Sequence, residues 1–364
     1  MTTIRQIFQN FGSEYMARFD DTMPGDHRKV INAIINCRTD HYGAILYTCE
    51  KCSQPHVVYR SCGNRHCPSC QHHKARQWLG KQLKRQLPGN HFMITFTVPQ
   101  QLRRFVRSHQ RLGYSALFAA SANTMKKLAS DPRHIGGDMP GFFGVLHTWG
   151  RQLQFHPHIH YIVPGGALSR EDNRWHPSRT DFYLPVKAMS IIFKAKFKDH
   201  MKKNNLYTQI PAQVWKQNFI VNSQAVGNSE RSIKYLAPYV FKVAISDYRI
   251  VNVDNRRVSF KYKKSKSNRW RTMHLDAMEF MRRYLQHVLP TGFMKIRYFG
   301  FLNPNCRVPL KKISALIQLA FGFLIQVPAT KIKPLKPITC SHCGGKLLYR
   351  YSILPFRRLP KGTG

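Results

Sequence analysis

Three histidines alternate with other residues in the segment His156-Pro157-His158-Ile159-His160. The surrounding run LQFHPHIHYIV predicts a β-strand, in which every second side chain points to the same face of the sheet. Two neutral imidazoles at positions i and i+2 of a strand can hold one divalent cation and leave coordination positions open for substrate oxygens. His158 and His160 are therefore the predicted ligands of a catalytic metal, with ordinary packing as the plainer alternative.

A cation held by two histidines alone is weakly fixed, so we expect a third ligand from a neighbouring element. His147 lies on the preceding strand-like run GFFGVLHTW. A hairpin that turns at Gly150 with a loop of two or four residues pairs His147 with Gln154 or His156, on the same face as His158. A three-residue loop would instead point His147 to the opposite face. Because two of these three loop lengths place it on the face of His158, His147 is our predicted third ligand.

Three alternatives to this assignment stay open. His156 shares the face of the histidine pair, but a strand places it about 13 Å from His160. A polar residue on a later helix can approach instead. The last alternative is that His147 packs beside Trp149 without binding a metal.

Two tyrosines, Tyr235 and Tyr239, are spaced by four residues, which places both on one face of a helix. A phenol with an ordinary pKa of about 10 is a poor nucleophile at neutral pH, so a nearby metal must polarise the group that it attacks. Pro238 lacks an amide hydrogen and clashes with the carbonyl of Lys234 in a continuous helix. We therefore expect a kink or a helix start between the tyrosines, and core packing is the common alternative role for such a pair.

Two Cys-x-x-Cys pairs, Cys49 with Cys52 and Cys67 with Cys70, have the spacing of a zinc ribbon. In a reducing compartment such pairs favour metal over disulfides, and reduced cysteines without metal are the alternative. We predict that these four cysteines bind one structural Zn²⁺.

The remaining cysteines have less defined roles. Cys37, Cys62 and His66 either complete a second site, replace one of the four predicted ligands, or simply pack. The distant pair Cys340 and Cys343 supplies only two ligands, which is half a site at most.

The chain of 364 residues carries 58 Lys and Arg against 17 Asp and Glu, a formal net charge of +41. Such a balance indicates a polyanionic partner, and nucleic acid is the leading one. A hydrophobic content of 43% is enough for folded cores. The amino terminus lacks a secretory signal, and the longest apolar stretch, Ile313 to Val327, is interrupted by polar residues and too short for a membrane helix. We expect a soluble protein of the bacterial cytoplasm, associated with the nucleoid and not with a membrane.

Composition and patterning predict three parts. Residues 1–88 hold six of the nine cysteines and form the predicted zinc-binding, DNA-binding domain. Residues 89–303 form the predicted catalytic domain, with a strand HFMITFTV, a helix at 115–130, the histidine hairpin, helices at 185–203 and from Ser229, a β-meander, and a helix whose apolar face includes Met278 and Val288. Residues 304–364 form a helix and a Cys-x-x-Cys tail.

Taken together, these motifs resemble the HUH superfamily of single-strand DNA nucleases. Their order is similar to that of the rolling-circle transposases of the insertion-sequence ninety-one family. The resemblance covers residues 27 to 303 and rests on SCGNRHCPSCQ, FTVP, HTWGRQLQFHPHIHYIVPGG, KYLAPYVFKVAIS and FMRRYLQHVLPTGFMKIRYFGF.

The resemblance implies an α+β fold with a ferredoxin-like (RRM-like) palm and His158 and His160 on its central strand. It implies Mg²⁺ or Mn²⁺ at these histidines, and Tyr235 and Tyr239 as nucleophiles that form 5′-phosphotyrosine links. The implied partners are single-stranded DNA and DNA hairpins at the ends of a mobile element.

Two other functions remain open from the sequence. A plasmid rolling-circle initiator or a conjugative relaxase would share the same active site. A noncatalytic, zinc-stabilised RNA-binding protein would share the basic charge and the cysteines but would not cleave DNA.

Overall fold

The computed structural model describes residues 3–241, 244–264, 267, 269–325 and 337–355, in a mixed α+β architecture with antiparallel sheets. The α-helices within these residues are α1 (Ile4–Arg18), α2 (Gly25–Ile35), α3 (His72–Leu83), α4 (Arg103–Ser108), α5 (Gln110–Ala129), α6 (Val186–Lys203), α7 (Ala212–Lys216), α8 (Ser229–Phe241), α9 (Ala277–Leu285) and α10 (Leu310–Phe321). The strands are β1 (Ala44–Cys49), β2 (Pro55–Tyr59), β3 (His91–Thr97), β4 (Phe142–Trp149), β5 (Phe155–Pro164), β6 (Gly166–Ser169), β7 (Arg174–Pro177), β8 (Ile220–Gly227), β9 (Ile250–Asp254), β10 (Arg257–Lys263), β11 (Trp270–Asp276), β12 (Ile296–Phe299) and β13 (Leu347–Ile353).

The chain forms two compact units that differ from the predicted linear division at residues 88 and 303. The first, called here the cysteine unit, combines Met1–Lys74, Phe241–Val288 and Lys331–Gly364. The second, the sheet unit, combines Ala75–Val240 and Leu289–Thr330. The difference has a physical cause, because strand pairing and apolar packing join segments that are far apart in the sequence.

Strand order defines the sheet unit. Its five-stranded antiparallel sheet has the order β12-β4-β5-β3-β8, with β5 in the middle. Without the edge strand β12, the short helices α4 and α7 and the separate pair β6-β7, the chain order is β3-α5-β4-β5-α6-β8. Two strand-helix-strand segments therefore share one sheet. The strand at residues 91–97, the helix at 110–129, the histidine hairpin and the helix at 186–203 all confirm predicted elements.

Helices α5 and α6 pack on one face of this sheet. The fully buried Tyr161 of β5 points to that face, where its hydroxyl lies 2.7 Å from Oγ of Ser121 on α5. Phe193 of α6 meets Phe96 of β3 with ring centroids 5.0 Å apart. Residues of odd number on β5 therefore face the apolar core. Because side chains alternate along a strand, His158 and His160 face the opposite side.

The cysteine unit contains two small sheets. In the first, β1 lies between β2 and β13, so the end of the chain pairs directly with its amino-terminal part. The second is the predicted β-meander, β9-β10-β11, which belongs to this unit and not to the predicted catalytic domain. Phe260 of the meander packs on Phe280 of α9, and Tyr284 of α9 packs on Phe8 of α1. Apolar contacts thus hold the meander in the cysteine unit.

Helix α9 is shorter than the predicted pattern. Asp276 caps its start by accepting a hydrogen bond from the Met278 amide at 2.8 Å. The helix ends at Leu285, so the buried Val288 follows it and is not part of its apolar face. Among the described residues, no helix has the length and hydropathy needed to cross a membrane.

Candidate active site

Strands β4 and β5 bring three histidines together. His147 pairs with His158 across the hairpin, and Val145 pairs with His160. One ring nitrogen from each of His147, His158 and His160 lies within 4.8 Å of the others. The histidine cluster, defined by these three residues, therefore contains the predicted metal-binding pair and the predicted third ligand.

The register that forms the histidine cluster differs from the predicted one. Five residues separate β4 from β5, and a bulge lies between His147 and Trp149, so His147 pairs with neither Gln154 nor His156. Leu153 adopts a positive φ of 63° in this loop. The observed pairing with His158 is shifted by an even number of residues, which keeps His147 on the predicted face.

Hydrogen bonds hold two of the rings in a metal-binding orientation. Nδ1 of His158 lies 2.7 Å from the carbonyl oxygen of His156, which can only accept, so Nδ1 carries the proton and Nε2 carries the lone pair. Nδ1 of His160 lies 2.9 Å from the hydroxyl of Thr95 on β3. Such partners fix the tautomer and ring orientation of histidine ligands. Sequence reasoning missed Thr95. Its only signal in the sequence was its position in the predicted strand HFMITFTV.

Burial keeps the cluster neutral. Burial lowers the pKa of His158 to about 4 and that of His160 to about 3, and it lowers the pKa of His147 well below its ordinary value. Neutral imidazole is the form that binds a metal. The donor set therefore fits a divalent cation at neutral pH.

Two of the alternatives for the third ligand can be placed relative to the cluster. His156 lies outside the cluster, although its ring centroid is only 5.0 Å from that of His158. His147 does stack on Trp149, with centroids 4.8 Å apart and planes 21° apart. Stacking on Trp149 does not prevent His147 from belonging to the cluster, because the same ring contacts Trp149 and lies beside His158 and His160.

Arg103 is a cation beside the cluster. Arg103 begins α4, which packs against β5, and among the described residues its buried Nε has no hydrogen-bond partner. Burial is the main cause that lowers the pKa of His158, and the Arg103 charge lowers it further. A buried polar atom without a hydrogen-bond partner is unfavourable, so an anion such as a phosphate that accepts from this Nε would stabilise the half-buried side chain. No motif in the sequence marked Arg103.

The predicted tyrosines lie on helix α8. This helix begins at Ser229 and ends at Phe241. Of the two outcomes predicted for Pro238, a kink or a helix start, the helix start is therefore wrong. The side chains of Tyr235, Pro238 and Tyr239 lie outside the described residues.

Neighbouring residues of α8 locate the helix on the sheet. Ser229 and Ile233 line a small cavity with Phe143 and Ile162. Ile162 follows His160 by two residues on β5 and shares its face, since side chains alternate along a strand. Helix α8 therefore packs on the face of the sheet that carries the histidine cluster.

Eight of the nine cysteines form two clusters, and neither is the predicted set of Cys49, Cys52, Cys67 and Cys70. The first cluster, called here the amino-terminal cluster, comprises Cys37, Cys62, Cys67 and Cys70. Sγ of Cys70 lies 3.4 Å from Sγ of both Cys37 and Cys62. The two predicted Cys-x-x-Cys pairs thus belong to different sites, because β1 and β2 carry the first pair away from the second.

The second cluster, called here the tail cluster, comprises Cys49, Cys52, Cys340 and Cys343. Sγ of Cys343 lies 3.4 Å from Sγ of both Cys49 and Cys52, and Sγ of Cys52 lies 3.7 Å from that of Cys340. The tail pair therefore supplies half of a four-cysteine site, which is the most that was predicted for it. Pairing of β13 with β1 brings the second half to it.

The cysteine geometry fits tetrahedral zinc. With Zn–S bonds of about 2.3 Å, sulfurs at two corners of a tetrahedron are about 3.8 Å apart. The observed Sγ separations of 3.4–3.7 Å are close to this value. Hydrogen bonding to Cys62 lowers the pKa of Cys37 to about 6, whereas hydrogen bonding to Cys37 raises that of Cys67. Four adjacent thiols cannot all ionise without a cation between them.

Two histidines near the cysteines are not members of the clusters. His66, an alternative ligand in the sequence, accepts a hydrogen bond at Nε2 from Nε of Arg65 at 3.2 Å, and its carbonyl accepts one from the Tyr284 hydroxyl at 2.7 Å. His56 places Nε2 3.2 Å from Sγ of Cys340, at the edge of the tail cluster.

Comparisons with known proteins agree with this site. Residues 141–309 match the family described as "Putative transposase", and residues 7–98 match the family described as "Transposase zinc-binding domain". The chain is 34% identical over 324 residues to "Putative transposase y4qJ" of Sinorhizobium fredii, which covers 84% of this chain and 81% of the relative. It is 27% identical over 349 residues to "Transposase for insertion sequence element IS801" of Pseudomonas savastanoi pv. phaseolicola, covering 89% and 83%. No solved structure matches the chain.

The histidine hairpin falls inside the first matched region, and six of the clustered cysteines fall inside the second. These matches define the class as a transposase with an amino-terminal zinc-binding domain. More narrowly, the chain belongs to the insertion-sequence ninety-one family of Y2 transposases, which confirms the family resemblance.

Proposed function

We propose that this protein cuts and rejoins single-stranded DNA at the ends of its element through 5′-phosphotyrosine intermediates, as an HUH endonuclease of the bacterial cytoplasm. The observation that carries the proposal is the histidine cluster on the central strand, on the face where the tyrosine-bearing helix α8 packs. The strand order β4-β5-β3-β8 with the chain path β-α-β-β-α-β is that of a ferredoxin-like palm, which supports the proposal further.

Different residues of the chain would bind the metal, orient its ligands and contact the phosphate. His147, His158 and His160 would hold a divalent cation, Mg²⁺ or Mn²⁺, which when bound would supply polarisation of the scissile phosphate and stabilise its developing charge. Thr95 and the carbonyl of His156 orient the rings. Arg103 supplies a fixed positive charge beside the phosphate.

Tyr235 or Tyr239 then acts as the nucleophile. Its hydroxyl oxygen forms a bond to phosphorus while the bond from phosphorus to the 3′-oxygen breaks. The phenol loses its proton and the departing 3′-oxygen becomes a hydroxyl, so one phosphodiester is exchanged for another. A free 3′-hydroxyl can later reverse the step without ATP. Two tyrosines allow two cleavages in succession, one for each end of the element.

The two cysteine clusters have a structural role in this proposal. Each would bind one Zn²⁺ through four thiolates, and the bound metal would hold short loops of a basic unit in place. DNA is the partner that a transposase requires, and DNA hairpins at the element ends are the proposed specific sites.

A covalent-adduct assay tests the proposal. The purified protein is incubated with single-stranded oligonucleotides covering the terminal sequences that flank its gene, with Mn²⁺ or with a chelator, and separated under denaturing conditions. We expect an adduct that survives denaturation only with metal and disappears in the His158→Ala/His160→Ala variant. Binding of these strands without any adduct would refute cleavage and favour a noncatalytic role.

A further inference from the structure

The outer face of the β-meander carries an exposed tryptophan between lysines. Val258 and Phe260 of β10 are fully buried, so their face of the meander is the inner one. Lys261 and Lys263 alternate with them and point outward. Across the ladder, Lys263 pairs with Trp270 and Lys261 pairs with Thr272, which places these four residues on one exposed face.

We propose that this face, called here the tryptophan platform and comprising Lys261, Lys263, Trp270 and Thr272, is a second binding site for single-stranded DNA, on which an unpaired base stacks against Trp270. The proposal rests on single-stranded DNA being the substrate of the proposed function. It adds a binding site on the cysteine unit to the histidine cluster, which belongs to the sheet unit.

The exposure of Trp270 is the first argument. Its side chain is 49% exposed, whereas Trp78, Trp175 and Trp215 are all at most 8% exposed. A tryptophan offers 150–250 Å² of mostly apolar surface, so leaving half of it in water is unfavourable unless a partner covers it. A nucleobase covers an exposed aromatic ring by stacking, and any base can do so.

Local charge is the second argument, and it selects the partner. The segment Lys261–Thr272 contains six Lys or Arg residues and no Asp or Glu. The acidic residues of the meander, Asp254 and Asp276, both pair with Arg257 at the opposite end of the ladder. Positive charge around the ring complements phosphates that adjoin a stacked base.

Competition for the ring is the third argument. Nζ of Lys263 lies 5.4 Å from the ring centroid of Trp270. An exposed cation–π contact is generally weaker than the stacking of a base on an aromatic side chain. A base can therefore displace the ammonium group of Lys263 from the face of the ring. Duplex DNA cannot do this, because its bases are already stacked.

The experiment measures binding of oligothymidylate, whose sequence is unrelated to any element end, in the absence of divalent metal. Cleavage is excluded under these conditions, so the result does not depend on the proposed catalytic function. We expect Trp270→Ala to weaken binding about 5- to 150-fold, the equivalent of 1–3 kcal/mol. Trp270→Phe should keep most of the affinity. Tyr351→Ala, which removes an exposed aromatic ring from β13, should bind as the unchanged protein does.

The contribution of the two lysines can be measured separately, from the salt dependence of DNA affinity. Contacts with single strands contribute about −0.7 to the slope of log affinity against log salt for each phosphate neutralised. The Lys261→Gln/Lys263→Gln variant should therefore reduce the magnitude of that slope by about 1.4. Stacking can also be followed directly, because oligothymidylate should protect the exposed Trp270 from quenching by acrylamide. Thermal unfolding and zinc content are measured on every variant to establish that each has folded.

Three results would overturn the proposal. The first is unchanged affinity for oligothymidylate in a folded Trp270→Ala protein. The second is duplex DNA that binds as tightly as single strands and depends equally on Trp270. The third is a Trp270-dependent preference for oligouridylate, which would assign the platform to RNA.

Discussion

Replacing Cys340 and Cys343 together with serine tests the tail cluster. Serine keeps the side-chain size but removes the two thiolates that the tail supplies, leaving Cys49 and Cys52 with only two ligands. The amino-terminal cluster keeps all four of its cysteines. We therefore expect the protein to lose one zinc per chain relative to the unchanged protein, as measured by elemental analysis.

The stability effect follows from linkage. A site held at a free zinc concentration 1,000 times its dissociation constant stabilises the folded state by about 4 kcal/mol. In a cooperative unit of about 150 residues, each kcal/mol shifts the melting temperature by about 2–4 °C, so a decrease of about 8–16 °C is expected. Strand β13 should also separate from β1, because its attachment loses the metal. Differential scanning calorimetry of the full chain measures this shift.

Cys306→Ser is the matched control, since Cys306 is the one cysteine outside both clusters. It should keep its zinc and its melting temperature. An unchanged zinc content in the Cys340→Ser/Cys343→Ser protein would refute the tail cluster and return the zinc site to the first 88 residues. A loss of two zinc ions would show that the two clusters do not bind independently.

Further predictions concern the histidine cluster and DNA binding. His147→Ala should weaken Mn²⁺ binding, measured by titration, by more than about 100-fold, whereas His156→Ala should change it little; equal effects would contradict the ligand assignment. Thr95→Val should weaken Mn²⁺ binding about 10- to 100-fold and Thr95→Ser should not, because only the hydroxyl orients His160. Arg103→Ala should slow adduct formation about 10- to 150-fold with partial recovery in Arg103→Lys, and an unchanged rate would remove Arg103 from the site. Affinity for single-stranded DNA should fall steeply with salt, as expected for a chain of net charge +41, and a flat dependence would contradict phosphate contacts.

Local patterns predicted the histidine cluster well. Strand periodicity placed His158 and His160 on one face, and hairpin parity placed His147 with them. The loop length was wrong, because the bulge between His147 and Trp149 and the positive φ of Leu153 are set by packing that periodicity does not report. An even shift in register left the face unchanged, which is why the three histidines lie together despite the difference in pairing.

The cysteine sites show the limit of spacing arguments. Cys49 and Cys343 are 294 residues apart, and nothing local in the sequence indicates that β13 pairs with β1. The one available signal was the repetition of the Cys-x-x-Cys spacing at the tail, which is half of a four-cysteine site. The sequence also does not indicate that the meander belongs to the cysteine unit, because that depends on apolar contacts between α9 and α1.

Identification of the DNA-linked residue tests the central claim most directly. The covalent adduct is digested with nuclease and trypsin, and the modified peptide is sequenced by mass spectrometry. Cleavage after Lys234 and Lys242 releases residues 235–242, YLAPYVFK, which contain both tyrosines. We predict a nucleotide phosphate on Tyr235 or Tyr239, and no adduct from the Tyr235→Phe/Tyr239→Phe protein. A nucleotide on any other residue, or an undiminished adduct in the double variant, would contradict the phosphotyrosine mechanism.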